Sequence, residues 1–241
     1  MDDKKVPENI RKMLEDFILE LKGVYGEGLI SVVLYGSASS GEFSSKHSNV
    51  NVAVILDDAR LTNLARMSAL INKSRFRMVY PVFFTEDYLN RSTDVFPIEF
   101  LDMQENHITL YGKEVLKHLK IDPKNLRFQC EQELKSKLIN IKRSYLKTNT
   151  RQELISILFK SFTSTLHILR NLIRIKGAIP SYSKEGVLNE ISREFGVDVR
   201  GFSKILRAKN GNMKLSHKEA DGLFIDFVDS LEHIVNIVDG L

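Results

Sequence analysis

The pattern of apolar residues changes once along this chain, at Gly112. Before that glycine, short runs rich in β-branched residues alternate with stretches whose apolar residues recur every three or four positions. The first pattern is typical of buried strands and the second of amphipathic helices. After Gly112 only the helical pattern occurs. We therefore predict an α/β domain with a short mixed sheet over residues 1–118, followed by an all-α helical bundle over residues 119–241.

Individual elements follow from the same periodicities and from local start and stop signals. Helices are predicted over 5–25 and 59–76, and strands over 29–35, 49–56, 78–84, 97–101 and 108–111. In the second half, Pro123 follows Asp122 and suits the first position of a helix. Two further helix starts have capping-box spacing, at Thr150-x-x-Glu153 and at Ser216-x-x-Glu219. Residues 154–175 are apolar around most of the helical circumference, which predicts the central helix of the bundle.

Composition excludes several classes of protein. Hydrophobic residues make up 43% of the chain and charged residues 27%, which is the balance of a globular protein rather than a disordered one. No stretch approaches the roughly 18 unbroken apolar residues of a spanning helix, so we expect no membrane segment. The single cysteine, Cys130, has no partner for an internal disulfide. We expect a protein of the reducing cytoplasm, and its net charge of +4 slightly favours anionic ligands.

The most informative segment joins the first two predicted strands. Gly36 and Ser37 follow the first strand directly, and Asn49 and Asn51 lie on the second. A glycine here lets the backbone approach a phosphate closely, while the serine hydroxyl and neighbouring N–H groups donate hydrogen bonds to it. Asn49 and Asn51 point to one face of the sheet because side chains alternate along a strand. The simpler interpretations are a strand-to-helix turn capped by Ser37, and asparagines that bond to nearby backbone.

This arrangement resembles the nucleotidyltransferase superfamily, the fold of polymerase β and kanamycin nucleotidyltransferase, over roughly residues 25–112. The resemblance matches Gly36 and Ser37 to the phosphate-binding turn. It places Asn49 and Asn51 where the family has an acidic pair, and Glu99 where the family has a third carboxylate, on a later strand. The implied ligands are a nucleoside triphosphate and Mg²⁺, held between the carboxylates and the triphosphate.

The departure from the family pattern concerns the metal site. An asparagine supplies a carbonyl oxygen without charge, whereas Mg²⁺ is usually held by one or two carboxylates together with substrate phosphates. Asp57 and Asp58 lie roughly 20 Å further along the second strand, too far to bind the same ion. Glu42 lies closer, and the simpler interpretation of it is a solvated loop residue. If Glu99 lies on an apolar strand, its carboxylate faces inward and needs a partner. It would then be a metal ligand, a base or the partner of a lysine or arginine.

One predicted helix of the second half carries many basic residues beside an apolar stripe. We expect it either to present a solvated face or to line an anion site for a triphosphate or for RNA. Its basic residues are Lys135, Lys137, Lys142, Arg143 and Lys147. Apolar helix stripes and an exposed strand edge also suit a homodimer.

Three functional hypotheses are consistent with these features. In the first, the chain is a degenerate nucleotidyltransferase that binds a nucleotide or another phosphate ligand with weak or no transfer. In the second, it is an active metal-dependent enzyme that moves a nucleoside monophosphate from a triphosphate to a hydroxyl, with Ser37 on the phosphates and Glu99 on a metal. In the third, it is a nucleic-acid or protein-binding module that retains only the fold. The missing charge at Asn49 and Asn51 favours the first.

Overall fold

A computed structural model of the chain describes residues 6–40, 49–181, 183–213 and 215–241. For Ser37, Ser40 and His217 it describes the backbone. Contacts between Cα atoms divide the chain into two compact units, of which the first ends at Asp122 and the second begins at Pro123.

The first unit is built around one four-stranded sheet. Its strands are β1 (Leu29–Tyr35), β2 (Val50–Leu56), β3 (Val79–Phe84) and β4 (His107–Gly112). Their order across the sheet is β3-β2-β1-β4, with β1 antiparallel to both β2 and β4. The β2 and β3 strands are parallel. The sheet is therefore mixed, as the sequence predicted, and its four strands match four of the five predicted runs.

Helices of very different length surround this sheet. Among the described residues of this unit, the helices are α1 (Glu8–Tyr25), α2 (Ser37–Ser40), α3 (Leu61–Leu64), α4 (Ser68–Ile71), α5 (Glu86–Arg91) and α6 (Pro97–Glu105). Turns of 3₁₀-helix at Ala65–Met67 and Ser74–Phe76 lie beside α3 and α4. The single helix predicted over 59–76 is thus a succession of short helical turns.

Apolar clusters pack on both faces of the sheet. On one face, α1 and the turns around α4 cover the strands, through Leu14, Phe17, Val32, Val54 and Phe76 among others. On the opposite face, α5, α6 and the segment after β4 cover Val33, Ala53 and Ile55, through Leu89, Phe100, Met103 and Leu116. A sheet buried on both faces explains why its strands are almost continuously apolar.

The predicted strand over 97–101 is wrong, because these residues form the start of α6. Pro97 occupies the first turn, where its missing N–H costs nothing. Glu99 lies in the same turn, where the positive end of the helix dipole stabilises its negative charge. Pro97, Phe100 and Met103 are buried at helical spacing. A short apolar run does not distinguish strand from helix, so the helix-start signals outweigh it.

Every element in the described part of the second unit is helical. Its helices are α7 (Pro123–Tyr145), α8 (Arg151–Ile175), α9 (Lys184–Phe195), α10 (Arg200–Lys209) and α11 (His217–Asp239). Helix α8 contacts the other four, which confirms its predicted central position. Both predicted capping boxes form, at Thr150 and at Ser216. Among the described residues, none of the helices is long and apolar enough to cross a membrane.

Candidate functional site

A row of four polar or aromatic side chains crosses the sheet at the end of β1. Tyr35 is the last residue of β1, and it pairs with Asn51 on β2 and with His107 on β4. Asn51 pairs in turn with Tyr80 on β3. Paired residues of neighbouring strands project from the same face of a sheet. The sheet therefore presents Tyr80, Asn51, Tyr35 and His107 side by side, on the face that α5 and α6 cover further along.

The turn after β1 lies directly beside this row. Gly36 has φ +77°, a conformation that side chains disfavour, and a Cβ atom placed there would lie 3.2 Å from Nδ2 of Asn51. The buried Ser39 hydroxyl lies 2.7 Å from the carbonyl oxygens of Gly36 and of Asn106, and these two acceptors share its single proton. Its hydrogen bonds tie the turn to the residue that precedes β4. Sequence analysis did not identify this role of Ser39.

The structure brings together some of the predicted site residues. Gly36 and Asn51 are neighbours, and the backbone of Ser37 begins the short helix α2 beside them. Asn49 is exposed and lies one residue before β2, whose first residue, Val50, donates its N–H to Met78 at 2.8 Å. Two asparagines thus lie at or just before the start of β2, close to the glycine turn.

Glu99 does not occupy the place predicted for it. It is exposed in the first turn of α6 rather than inward-facing on a strand. The strand beside β2 is β3, and its residue level with Asn51 is Tyr80. None of the four strands contains an aspartate or a glutamate. In the part of the chain that the structure describes, no strand therefore offers a third carboxylate to positions 49 and 51.

The other acids considered from the sequence do not fill this gap among the described residues. Asp58 follows β2 at its far end, where it forms an ion pair with Arg60 at 2.8 Å. The Arg60 guanidinium holds the pKa of the Asp58 carboxyl at about 2. Glu42 lies outside the described residues.

Asn51 and Tyr35 line a pocket of about 620 Å³ within the first unit. The remaining polar lining comes from Asn72, Lys73, Arg77 and Tyr80, and the apolar lining from Ile71, Phe76, Val79, Pro81 and Val82. Sequence analysis missed Lys73 and Arg77 as site residues. Their signal was the basic segment Lys73-Ser-Arg-Phe-Arg77 immediately before β3.

The lining of this pocket does not suit Mg²⁺. It contains two cationic side chains and no aspartate or glutamate among the described residues. A hard divalent cation needs oxygen ligands, usually with at least one carboxylate, and nearby positive charge opposes its binding. In the part of the chain that the structure describes, no group of three histidine, cysteine, aspartate or glutamate residues is arranged to hold a metal ion.

His107, at the β4 end of the row, has an acceptor at each ring nitrogen. Nδ1 lies 2.9 Å from the carbonyl oxygen of Gln104, and Nε2 lies 2.9 Å from Oε1 of Glu114. Thr109 donates its hydroxyl to the other Glu114 oxygen at 2.7 Å. Burial by itself raises the pKa of the Glu114 carboxyl, but the contacts with Thr109 and His107 outweigh it and hold that pKa below its ordinary value. This network fixes the imidazole beside Tyr35.

The basic helix singled out in the sequence, α7, has several of its cations paired within the second unit. Lys135 forms ion pairs with Glu131 at 2.6 Å and with Asp239 at 2.8 Å, and Lys142 pairs with Glu232. Lys137 donates to the hydroxyl of Ser164 at 2.7 Å. These contacts favour the solvated-face interpretation and weaken the support for an RNA-binding wall.

Comparisons with known proteins place this arrangement in a fold. No family model matches the sequence, and no curated protein matches it significantly. Among solved structures, the chain is similar to a spectinomycin adenyltransferase from Enterococcus faecialis, determined with ATP and spectinomycin. The TM-score is 0.55 and the sequence identity 11%, over 92% of this chain and 98% of that one. The chain has the nucleotidyltransferase fold. This finding confirms the resemblance at the level of the fold, and the coverage includes residues of both units.

Proposed function

We propose that this nucleotidyltransferase-fold protein binds a nucleotide or another phosphate ligand in its first unit and catalyses little or no metal-dependent transfer. One observation carries the proposal: the pocket that contains Asn51 has two cations and no carboxylate in its described lining. A two-metal displacement needs negatively charged ligands around the cations that stabilise the attacking and leaving oxygens. A phosphate needs hydrogen-bond donors and positive charge, which this pocket has.

The fold supports the ligand class. The similar spectinomycin adenyltransferase was solved with ATP, and the turn at Gly36 occupies the strand-to-helix position that suits a phosphate in this fold. We expect the nucleotide to contact the backbone N–H groups around Gly36 and Ser37. Homodimerisation stays a prediction that light scattering tests.

The decisive experiment titrates Mn²⁺ into the wild type and into the double variant Asn49→Asp/Asn51→Asp, with a non-hydrolysable ATP analogue present. We expect weak Mn²⁺ binding by the wild type and tighter binding, by roughly tenfold or more, in the double variant, because two carboxylates restore charge near the ligand phosphates. The matched control is Asn90→Asp/Asn236→Asp, which adds the same charges at exposed helix positions. It should leave Mn²⁺ affinity unchanged.

The same titration separates the alternatives. Tight Mn²⁺ binding by the wild type, together with transfer of a nucleoside monophosphate, would give first place to the active transferase. Failure of the wild type to bind ATP, AMP or pyrophosphate, with or without Mn²⁺, would favour a module that retains only the fold.

A further inference from the structure

We infer that the pocket beside Asn51 binds the phosphate groups of an organic phosphate directly, as a free anion and without a divalent cation. The inference rests on the proposed function and adds the form in which the ligand is bound. In this site the protein's own side chains hold the phosphates, and no cation lies between them.

The strongest support is the charge of Arg77. This residue is exposed, lines the pocket, and forms no ion pair through its guanidinium with any residue in the described ranges. A guanidinium presents its N–H donors as a planar fork that matches two oxygens of one phosphate. Arg77 therefore offers an anion site that no protein carboxylate in the described part of the chain occupies.

The neighbouring cations add to that charge. Glu20 on α1 forms an ion pair with Lys73, whose Nζ lies 2.8 Å from Oε1 of Glu20. The same carboxylate also pairs with Arg75, so two cations share it. Lys73, Arg75 and Arg77 with Glu20 form what we call the cation cluster, with three positive charges and one negative, a net charge of +2. The hydrogen bond from Lys73, followed by the charges of both cations, holds the pKa of Glu20 below its ordinary value, so it is ionised at neutral pH. The surplus positive charge is therefore permanent.

Neutral donors complete the lining. The Asn51 amide carries two N–H donors, whereas an aspartate at this position would accept only and would repel a phosphate. Burial raises the pKa of the Tyr35 phenol above its ordinary value, so it stays protonated and able to donate at neutral pH. Apolar side chains of the same pocket, such as Ile71 and Val79, suit the organic part of the ligand. An asparagine rather than an aspartate at position 51 thus gives a metal ion no charged ligand, and it also does not repel a bare phosphate.

The test is calorimetric titration of ATP into the full-length protein in EDTA, and again with Mn²⁺. We expect ATP to bind in EDTA. Arg77→Gln should weaken that binding by about tenfold or more, since it removes a charge-assisted hydrogen bond to the phosphate. Arg77→Lys, which keeps the charge, should lie between the two. Asn51→Asp should also weaken ATP binding in EDTA, because the new carboxylate repels the phosphates. If a metal ion bridged the ligand instead, the same variant would bind ATP more tightly with Mn²⁺ present.

The matched control is Arg91→Gln, which removes one exposed arginine of the same unit outside the pocket. It should change ATP affinity by less than about twofold, and circular dichroism checks that every variant is folded. ATP binding that requires Mn²⁺, or that Arg77→Gln leaves unchanged, would overturn this inference while ligand binding itself stands. Absence of binding for ATP, AMP and pyrophosphate in both buffers would overturn the proposed function and the inference together.

Discussion

Two basic regions of this protein differ in what surrounds their charges. On α7, Lys135 and Lys142 have acidic partners on the same helix or on α11. In the cation cluster of the first unit, Lys73 and Arg75 share Glu20, and the guanidinium of Arg77 forms no ion pair with any described residue. The α7 region carries more basic residues in sequence, but it is in the cation cluster that a cation without an ion pair among the described residues, Arg77, lines the pocket of Asn51.

The difference shows that counting basic residues along a chain does not locate an anion site. A cation that already contacts a carboxylate must give up that contact before it binds a phosphate, so its net contribution to ligand affinity is small. An unpaired arginine in a pocket gives up only its contacts with water. What decides is the local balance of charge within a few ångströms, which the order of residues along the chain does not show.

The largest effect on ATP affinity is expected from charge reversal, made in each basic region separately. Lys73→Glu/Arg77→Glu should lower the affinity for ATP in EDTA by roughly 100-fold, since the cation Arg77 is lost and two negative charges enter the pocket lining, where they repel the phosphates. Lys135→Glu/Lys142→Glu should change that affinity by less than about threefold, since these side chains already bind carboxylates. Fluorescence titration of a labelled ATP measures both.

Equal loss of affinity in the two double variants would break the comparison. In that case long-range attraction would explain the binding, and raising the salt concentration would abolish the affinity of every form to the same extent. If ATP binds in the pocket instead, the Lys135→Glu/Lys142→Glu variant should retain part of its affinity for ATP at high salt.

An intermediate effect is expected from the paired histidine at the end of the polar row. Glu114→Gln should reduce the free energy of local unfolding of β4 by about 1 kcal/mol at pH 7, because His107, only 12% exposed, loses its charged partner. The loss of free energy is small because the Glu114 side chain is 37% exposed and solvent screens its charge. Native-state hydrogen exchange of the β4 amides measures the change.

The pH dependence of this effect has a definite sign. The folded protein holds the pKa of Glu114 below the ordinary value of 4.5, so the stabilisation is fully present above pH 4.5. It is lost as the pH falls through the lowered value in the folded state. The difference between wild type and Glu114→Gln should therefore narrow as the pH falls below 4.5. A difference that widens on acidification would contradict the assignment of this network.

The smallest effect is expected on α7. Lys142→Gln should lower the free energy of unfolding of the second unit by less than about 0.5 kcal/mol, because its ion pair with Glu232 is exposed. Glu232→Gln, which removes the other member, should have an effect of similar size. Urea denaturation followed by circular dichroism measures both. A loss of several kcal/mol in either variant would mean that this pair has a structural role that its exposure does not suggest.

The candidate site was predictable in part. Gly36 and Asn51 were predicted to share a site, and the structure places them side by side because Tyr35, the residue before Gly36, pairs with Asn51 across β1 and β2. Glu99 was misplaced, because its short apolar surroundings fit a strand as well as a helix. Arg77 was missed because the basic segment that contains it does not show that it lines the same pocket as Asn51.

The sequence by itself determined the features whose physical causes act over a few residues. Capping boxes, helix periodicity, the apolar strands and the absence of acids at positions 49 and 51 all depend on neighbours along the chain. Tertiary structure decided the row from Tyr80 to His107 and brought Glu20 to Lys73 and Asp239 to Lys135, since strand register and these ion pairs join residues 16 to 104 positions apart. Those long-range pairings set the charge of the pocket, because each cation is either compensated or left available only once the chain has folded.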